Sequence, residues 1–118
     1  MADIPAAPRG LRAPGKRLWK WYNEQFELSE GEIGLLREVC RTADAIDQLQ
    51  LVLDRDGVLG ESSQGVRVHP ALPELRQQRI TFARLLAALK LNEPEDDAEG
   101  LPAGRAPRGV YGIRGAVS

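Results

Sequence analysis

The feature that most constrains this chain is one long run with helical spacing. Leu35, Val39, Ala43, Ile46, Leu49 and Leu53 recur at three- and four-residue steps, the period of one face of an α-helix. Ser29 stands where a helix cap belongs, with Glu32 three residues on, the signature of a capping box. Glu30 and Glu32 suit the positive end of the helix dipole, and Gly57 supplies a stop. The run predicts a helix of about 27 residues, roughly 40 Å long at the standard rise. A helix of that length overhangs any small domain built around it, and its far end needs a partner.

The rest of the 118-residue chain is arranged about that helix. Leu18, Trp19, Tyr22 and Phe26 share one face and predict a first helix over 15–26, with Pro14 where a helix start tolerates proline. Trp21 lies to the side of that face; either it rims the same core or it packs on a neighbouring subunit. Beyond Gly57, the β-prone runs 58–59 and 66–68 flank a Gly- and Ser-containing loop and predict a short hairpin. A lone hairpin is marginal in water, so it is expected to lean on a helix or on another subunit. Leu72, Leu75, Phe82, Leu85, Leu86 and Leu89 mark a third helix from about 70–73 to 91.

The expected organisation is therefore mainly α. Three helices, with one long central helix and a short β-hairpin, form a core over 15–91. A flexible Pro-rich lead (1–14) precedes it, and a flexible tail (92–118), acidic and then rich in Arg and Gly, follows. A core this short buries little surface by itself, and no cysteine pair braces it, which leaves self-association as the common brace.

Several chemistries find no support in the residues. The loop Gly60–Gly65 lacks the Lys-Ser/Thr ending of a phosphate-binding loop and opens no helix. Cys40 is the single cysteine and His69 the single histidine. Cys40 reads as a small buried hydrophobe, and His69 as a cap or packing residue at the start of the third helix. Asp44, Asp47, Asp54 and Asp56 read as a solvated or ion-paired face and not a metal cluster. No catalytic residue, metal or other cofactor is expected. No apolar stretch approaches the ~20 residues of a membrane span, and no apolar leader is seen, so a soluble intracellular protein without membrane partners is expected.

The net charge of −1 hides an alternation: +2 over 1–28, −4 over 29–56, +3 over 57–91 and −2 over 92–118. Lys16, Arg17 and Lys20 on the first helix, and Arg76, Arg79 and Arg84 on the third, admit two readings. They pair with the acidic second helix or face solvent, or they contact DNA phosphates. The tail either solubilises or docks on a partner; Val110, Tyr111 and Ile113 among its Gly and Arg residues favour docking.

The order of these elements resembles a known family. A Pro-rich start precedes a basic-aromatic helix carrying Leu18-Trp19-Lys20. Leu28-Ser29-Glu30-Gly31-Glu32 opens the long helix, which closes at Asp56-Gly57-Val58. Val68-His69-Pro70-Ala71-Leu72-Pro73-Glu74-Leu75-Arg76 then starts the last helix, with His69 where the family often has Asn. Leu85, Leu86 and Leu89-Lys90-Leu91-Asn92 end it, with Pro94 shortly after. Over about residues 10–94 the chain looks like a phage terminase small subunit of the kind without an obvious helix-turn-helix. The resemblance implies a non-catalytic homo-oligomeric ring in the cytoplasm of the infected bacterial host. The ring would recognise viral double-stranded DNA for genome packaging, and recruit and regulate the large terminase subunit, which carries the ATPase and nuclease. DNA contact falls to Lys16, Arg17, Lys20, Arg76, Arg79 and Arg84. Ring contacts fall to Trp21, Leu35, Val39, Ile46, Leu49 and Leu53, and large-subunit docking to Arg105, Arg108, Tyr111 and Arg114. Two rival readings remain: a helical adaptor or head-assembly protein without a DNA role, and a small DNA-binding regulator, which the long second helix disfavours.

Overall fold

A computed structural model describes residues 4–90 and 106–107 of the chain. Three helices carry the fold: α1 (Ala13–Gln25), α2 (Glu30–Asp56) and α3 (Ala71–Lys90). Between α2 and α3 lies an antiparallel hairpin, β2 (Leu59–Ser62) and β3 (Gly65–Val68). A two-residue strand β1 (Phe26–Glu27) pairs antiparallel with β4 (Ala106–Pro107). The mainly helical architecture with three helices and a short hairpin is the one the sequence predicts.

The central helix begins and ends as its sequence dictates. Ser29 Oγ accepts from the Glu32 amide at 3.2 Å, and Glu32 Oε1 accepts from the Ser29 amide at 2.8 Å. Two amides that have no intrahelical partner are thereby satisfied. Gly57 closes the helix at φ +83°, where its N–H bonds to the Leu53 carbonyl.

The apolar residues of α2 fall into two clusters that follow one another along the helix. Ile33, Leu36, Val39 and Cys40 join Leu11, Trp19 and Leu89 in one cluster, with Leu18, Tyr22, Phe82, Leu85 and Leu86 packed against it. Leu53, Ala71 and Leu75 form a second cluster, flanked by Ile46, Leu49, Val52 and Leu72. The first unites all three helices; in the second, α2 and α3 pack without α1. The single stripe read from the sequence runs through both clusters, Leu35 and Val39 in the first and Ile46, Leu49 and Leu53 in the second. It left out Leu36 and Ile33, because a central helix with two helical neighbours needs a wider apolar surface than one stripe.

The N-terminal segment departs from the expected flexible lead. Leu11 is buried in the first cluster. Trp19 Nε1–H donates to the Pro5 carbonyl at 2.9 Å, and the Arg12 amide donates to Asp44. Residues 5–12 are thus strapped to the core by one apolar anchor and two long-range hydrogen bonds, which composition alone does not reveal. The first helix correspondingly starts at Ala13, two residues early. It ends at Gln25 because Phe26 is extended (φ −136°, ψ 152°) and enters β1. In the tail expected to be flexible, 106–107 is strand β4.

The hairpin is a tight one. Leu59 pairs with Val68 and Ser62 with Gly65, leaving Ser63 and Gln64 as the connection. Gly65 sits at φ +110°, a conformation that suits glycine. Ser62 Oγ accepts from the Gln64 amide and donates to the Gly65 carbonyl. At its base, the His69 amide donates to the Val58 carbonyl at 2.7 Å. All eight strand residues are exposed, so the hairpin does not lean on the helices of its own chain.

Candidate nucleic-acid and assembly surfaces

The acidic residues of α2 are largely occupied within the chain. Asp44 is buried and accepts from the amides of Arg12 (2.6 Å) and Gly15 (2.7 Å). Since α1 has no side-chain cap of its own, a carboxylate from α2 caps it instead, placing negative charge at the positive end of its dipole. Gly15 is required for that approach: a Cβ there would lie 2.8 Å from both Asp44 Oδ2 and the Cys40 carbonyl. In the amide orientation that satisfies its hydrogen bonds, Gln48 accepts from the Arg12 guanidinium at 3.0 Å. Asp56 accepts from Arg55 Nε at 2.6 Å and pairs with His69 Nε2 at 3.0 Å. Arg55 first, and His69 second, hold the Asp56 carboxyl well below the usual carboxylate range. Glu38 pairs with Arg41, and Asp54 accepts from Gln50.

That leaves part of the basic set unneutralised. Arg76 and Arg84 are exposed on α3, with Ile80 between them at four-residue steps, so all three share the outward face. Neither arginine makes an ion pair or hydrogen bond among the described residues. They stand roughly 12 Å apart along the helix at the standard rise. Arg79 differs: its Nη2 donates to Gln50 Oε1 at 3.0 Å, tying it to α2. On α1, Lys16, Arg17 and Lys20 are all exposed, and Lys20 has only a loose pair with Glu24 at 4.0 Å.

The residues expected at subunit contacts separate into two groups. Val39 is fully buried and Leu53 nearly so. They belong to the chain's own core, Val39 in the cluster that all three helices share and Leu53 in the one shared with α3, and neither is open to a neighbour. Leu35 and Ile46 are half-buried against the same clusters. Leu49 lies in an open groove of about 580 Å3 between α2 and α3, beside Leu51, Val52, Glu74 and Gln78. Trp21 is 50% exposed. It meets Tyr22 edge-on at 4.9 Å and, with Pro14 and Leu18, lines a second open depression of about 510 Å3 flanked by Arg17, Lys20 and Glu24.

One surface escaped the sequence reading. The pairing puts Leu59 beside Val68 and Glu61 beside Val66, so these four point to one side of the hairpin, while Gly60, Ser62, Gly65 and Arg67 point to the other. Leu59, Val66 and Val68 are among the most exposed large apolar residues described. The alternation of 66–68 was visible in the sequence; its register against 59–62 was not, because register depends on the turn.

Other sequence readings resolve locally. Cys40 is buried and its thiol is pushed up to about 12, by burial first and by the Asp44 carboxylate second, which removes it as a thiolate nucleophile at neutral pH. His69 pairs with Asp56, which lies sixteen residues or roughly 24 Å along α2 from Cys40, and its Nδ1 accepts from the Ala71 amide at 2.9 Å. It is therefore the cap of α3. Among the described residues no group of three His, Cys, Asp or Glu side chains is placed to hold a metal ion, and no helix is long and apolar enough to cross a membrane. Arg105, Arg108, Tyr111 and Arg114 lie outside the described residues. Comparison of the chain with models of known families, with curated proteins and with solved structures finds no match.

Proposed function

We propose that this chain is a non-catalytic, self-assembling DNA-binding protein that serves as the small subunit of a phage terminase in the cytoplasm of the infected host. Multiple copies form a ring, hold viral double-stranded DNA and bring in the large subunit that packages it. The observation that carries the reading is the outward face of α3, where Arg76 and Arg84 are exposed and have no partner among the described residues, in a chain whose net charge is −1. Unpaired arginines on a rigid helix suit phosphate contact. Two or three such contacts bind weakly in a single chain, but repetition around an assembly raises their effective strength by orders of magnitude. Lys16 and Lys20, exposed one turn apart on α1, are a second basic group open to phosphate. The long α2, the exposed hairpin and the exposed Trp21 support self-association.

The test is DNA affinity as a function of salt. Arg76→Ala with Arg84→Ala is expected to weaken binding to any duplex sequence and to lower the salt slope by about one to two contacts for each chain bound. Arg79→Ala, tied as it is to Gln50, is expected to change the slope less. Unchanged affinity and slope in the double variant would remove α3 as the DNA-facing element and favour an adaptor without a DNA role.

A further inference from the structure

Two exposed apolar surfaces of this chain lie along different halves of α2. One is the hairpin face formed by Leu59, Val66 and Val68, with Glu61 set among them. The other is the side of α1 formed by Pro14, Leu18 and Trp21, with Arg17 four residues before the tryptophan. The hairpin leaves α2 after Gly57. By contrast α1 packs on the first half of that helix, with Gly15 at Cys40 and Asp44 and the short 26–29 connection at its start. The α1 surface therefore begins roughly 20 Å from the hairpin base along the α2 axis and runs away from it, beyond the roughly 13 Å reach of four-residue strands, so the hairpin does not cover the α1 surface of its own chain.

We infer that the hairpin of one copy packs its apolar face onto the Pro14–Leu18–Trp21 surface of the next copy, with Glu61 against Arg17. The inference rests on the self-association proposed above and specifies its contact. Charge selects the occupant. Two hairpins stacked face to face would bring two Glu61 carboxylates together in an apolar setting, which is unfavourable. The α1 surface instead offers Arg17, which has no carboxylate partner among the described residues. A flat aromatic beside a cation also suits an apolar strand pair that carries one acid. The hairpin itself requires a cover, since an isolated two-stranded pair is marginal in water and exposes both edges. Because the two surfaces differ, the contact is head-to-tail, the kind that closes into a ring or continues as a filament.

Head-to-tail contact predicts complementation, which a symmetric contact does not. Val66→Lys disables the hairpin surface and Trp21→Lys the α1 surface; both positions are exposed, and circular dichroism checks that each variant keeps its helices. By light scattering on a sizing column, each variant alone is expected at the 13.0 kDa mass of one chain, with association weakened at least ~10-fold. An equimolar mixture is expected to form a dimer and stop there. One intact hairpin meets one intact α1 surface, and the remaining junction opposes two lysines. Glu61→Arg is expected to weaken assembly, and adding Arg17→Glu to restore it. A mixture that stays monomeric, or either single variant that assembles like the unsubstituted chain, overturns this contact. If the unsubstituted chain is multimeric in those cases, self-association itself survives. A chain that is monomeric before any substitution overturns both.

Discussion

At the scale of single residues, the most consequential contact joins Asp44 to the start of α1. A buried carboxylate costs much to desolvate, and here two backbone amides at 2.6 and 2.7 Å offset that cost. Asp44→Ala removes the cap and leaves those amides without it; a loss of about 1–2 kcal/mol of stability is expected, read as a lower urea midpoint. Gly15→Ala is expected to cost about 1–3 kcal/mol, because the added methyl meets the Cys40 carbonyl, which is backbone and cannot turn away. Asp56 provides a pH dependence. Its carboxyl is depressed when folded, so the stability it contributes is present above the ordinary carboxylate range. That contribution is lost as pH falls below about 4. Thermal melts should show the unsubstituted chain and Asp56→Asn converging as pH is lowered from 5 to 2. A gap that widens on acidification contradicts the assignment. The effect is modest, since the group is solvent-exposed and screened.

At the scale of elements, α2 was the most legible part of the chain. Its start, stop and length all follow from local chemistry, which a sequence displays directly. Ser29→Ala should therefore cost about 1 kcal/mol through the capping box. Leu36→Ala, at the fully buried centre of the first cluster, should cost about 2–5 kcal/mol; both are measured by chemical denaturation. What the sequence did not display was set by long-range geometry. Leu11 and Pro5 anchor a segment whose composition reads as flexible. The roles of Asp44 and Gly15 arise only when α1 lies on α2. The hairpin's apolar face depends on register. The candidate DNA surface was partly legible as scattered basic residues. Only the structure separates Arg79, tied to Gln50, from Arg76 and Arg84, which face outward without a partner among the described residues. Likewise the resemblance assigns Val39 and Leu53 to ring contacts, yet their helical spacing serves packing against helices of the same chain.

At the scale of the whole molecule, three features join into one proposed mechanism. The core of α1, α2 and α3 holds a rigid outward arginine face. The hairpin and the Trp21 surface stand apart along α2 and invite a head-to-tail neighbour. Repetition then converts a weakly basic chain into a surface able to hold a polyanion. The most direct test is the mass of the unsubstituted chain in solution, by light scattering across a range of concentrations. A discrete, closed multiple of 13.0 kDa is predicted, stable on dilution and lost in Val66→Lys and Trp21→Lys. A single-chain mass at every concentration would contradict self-assembly, and with it the means by which so few arginines could hold DNA.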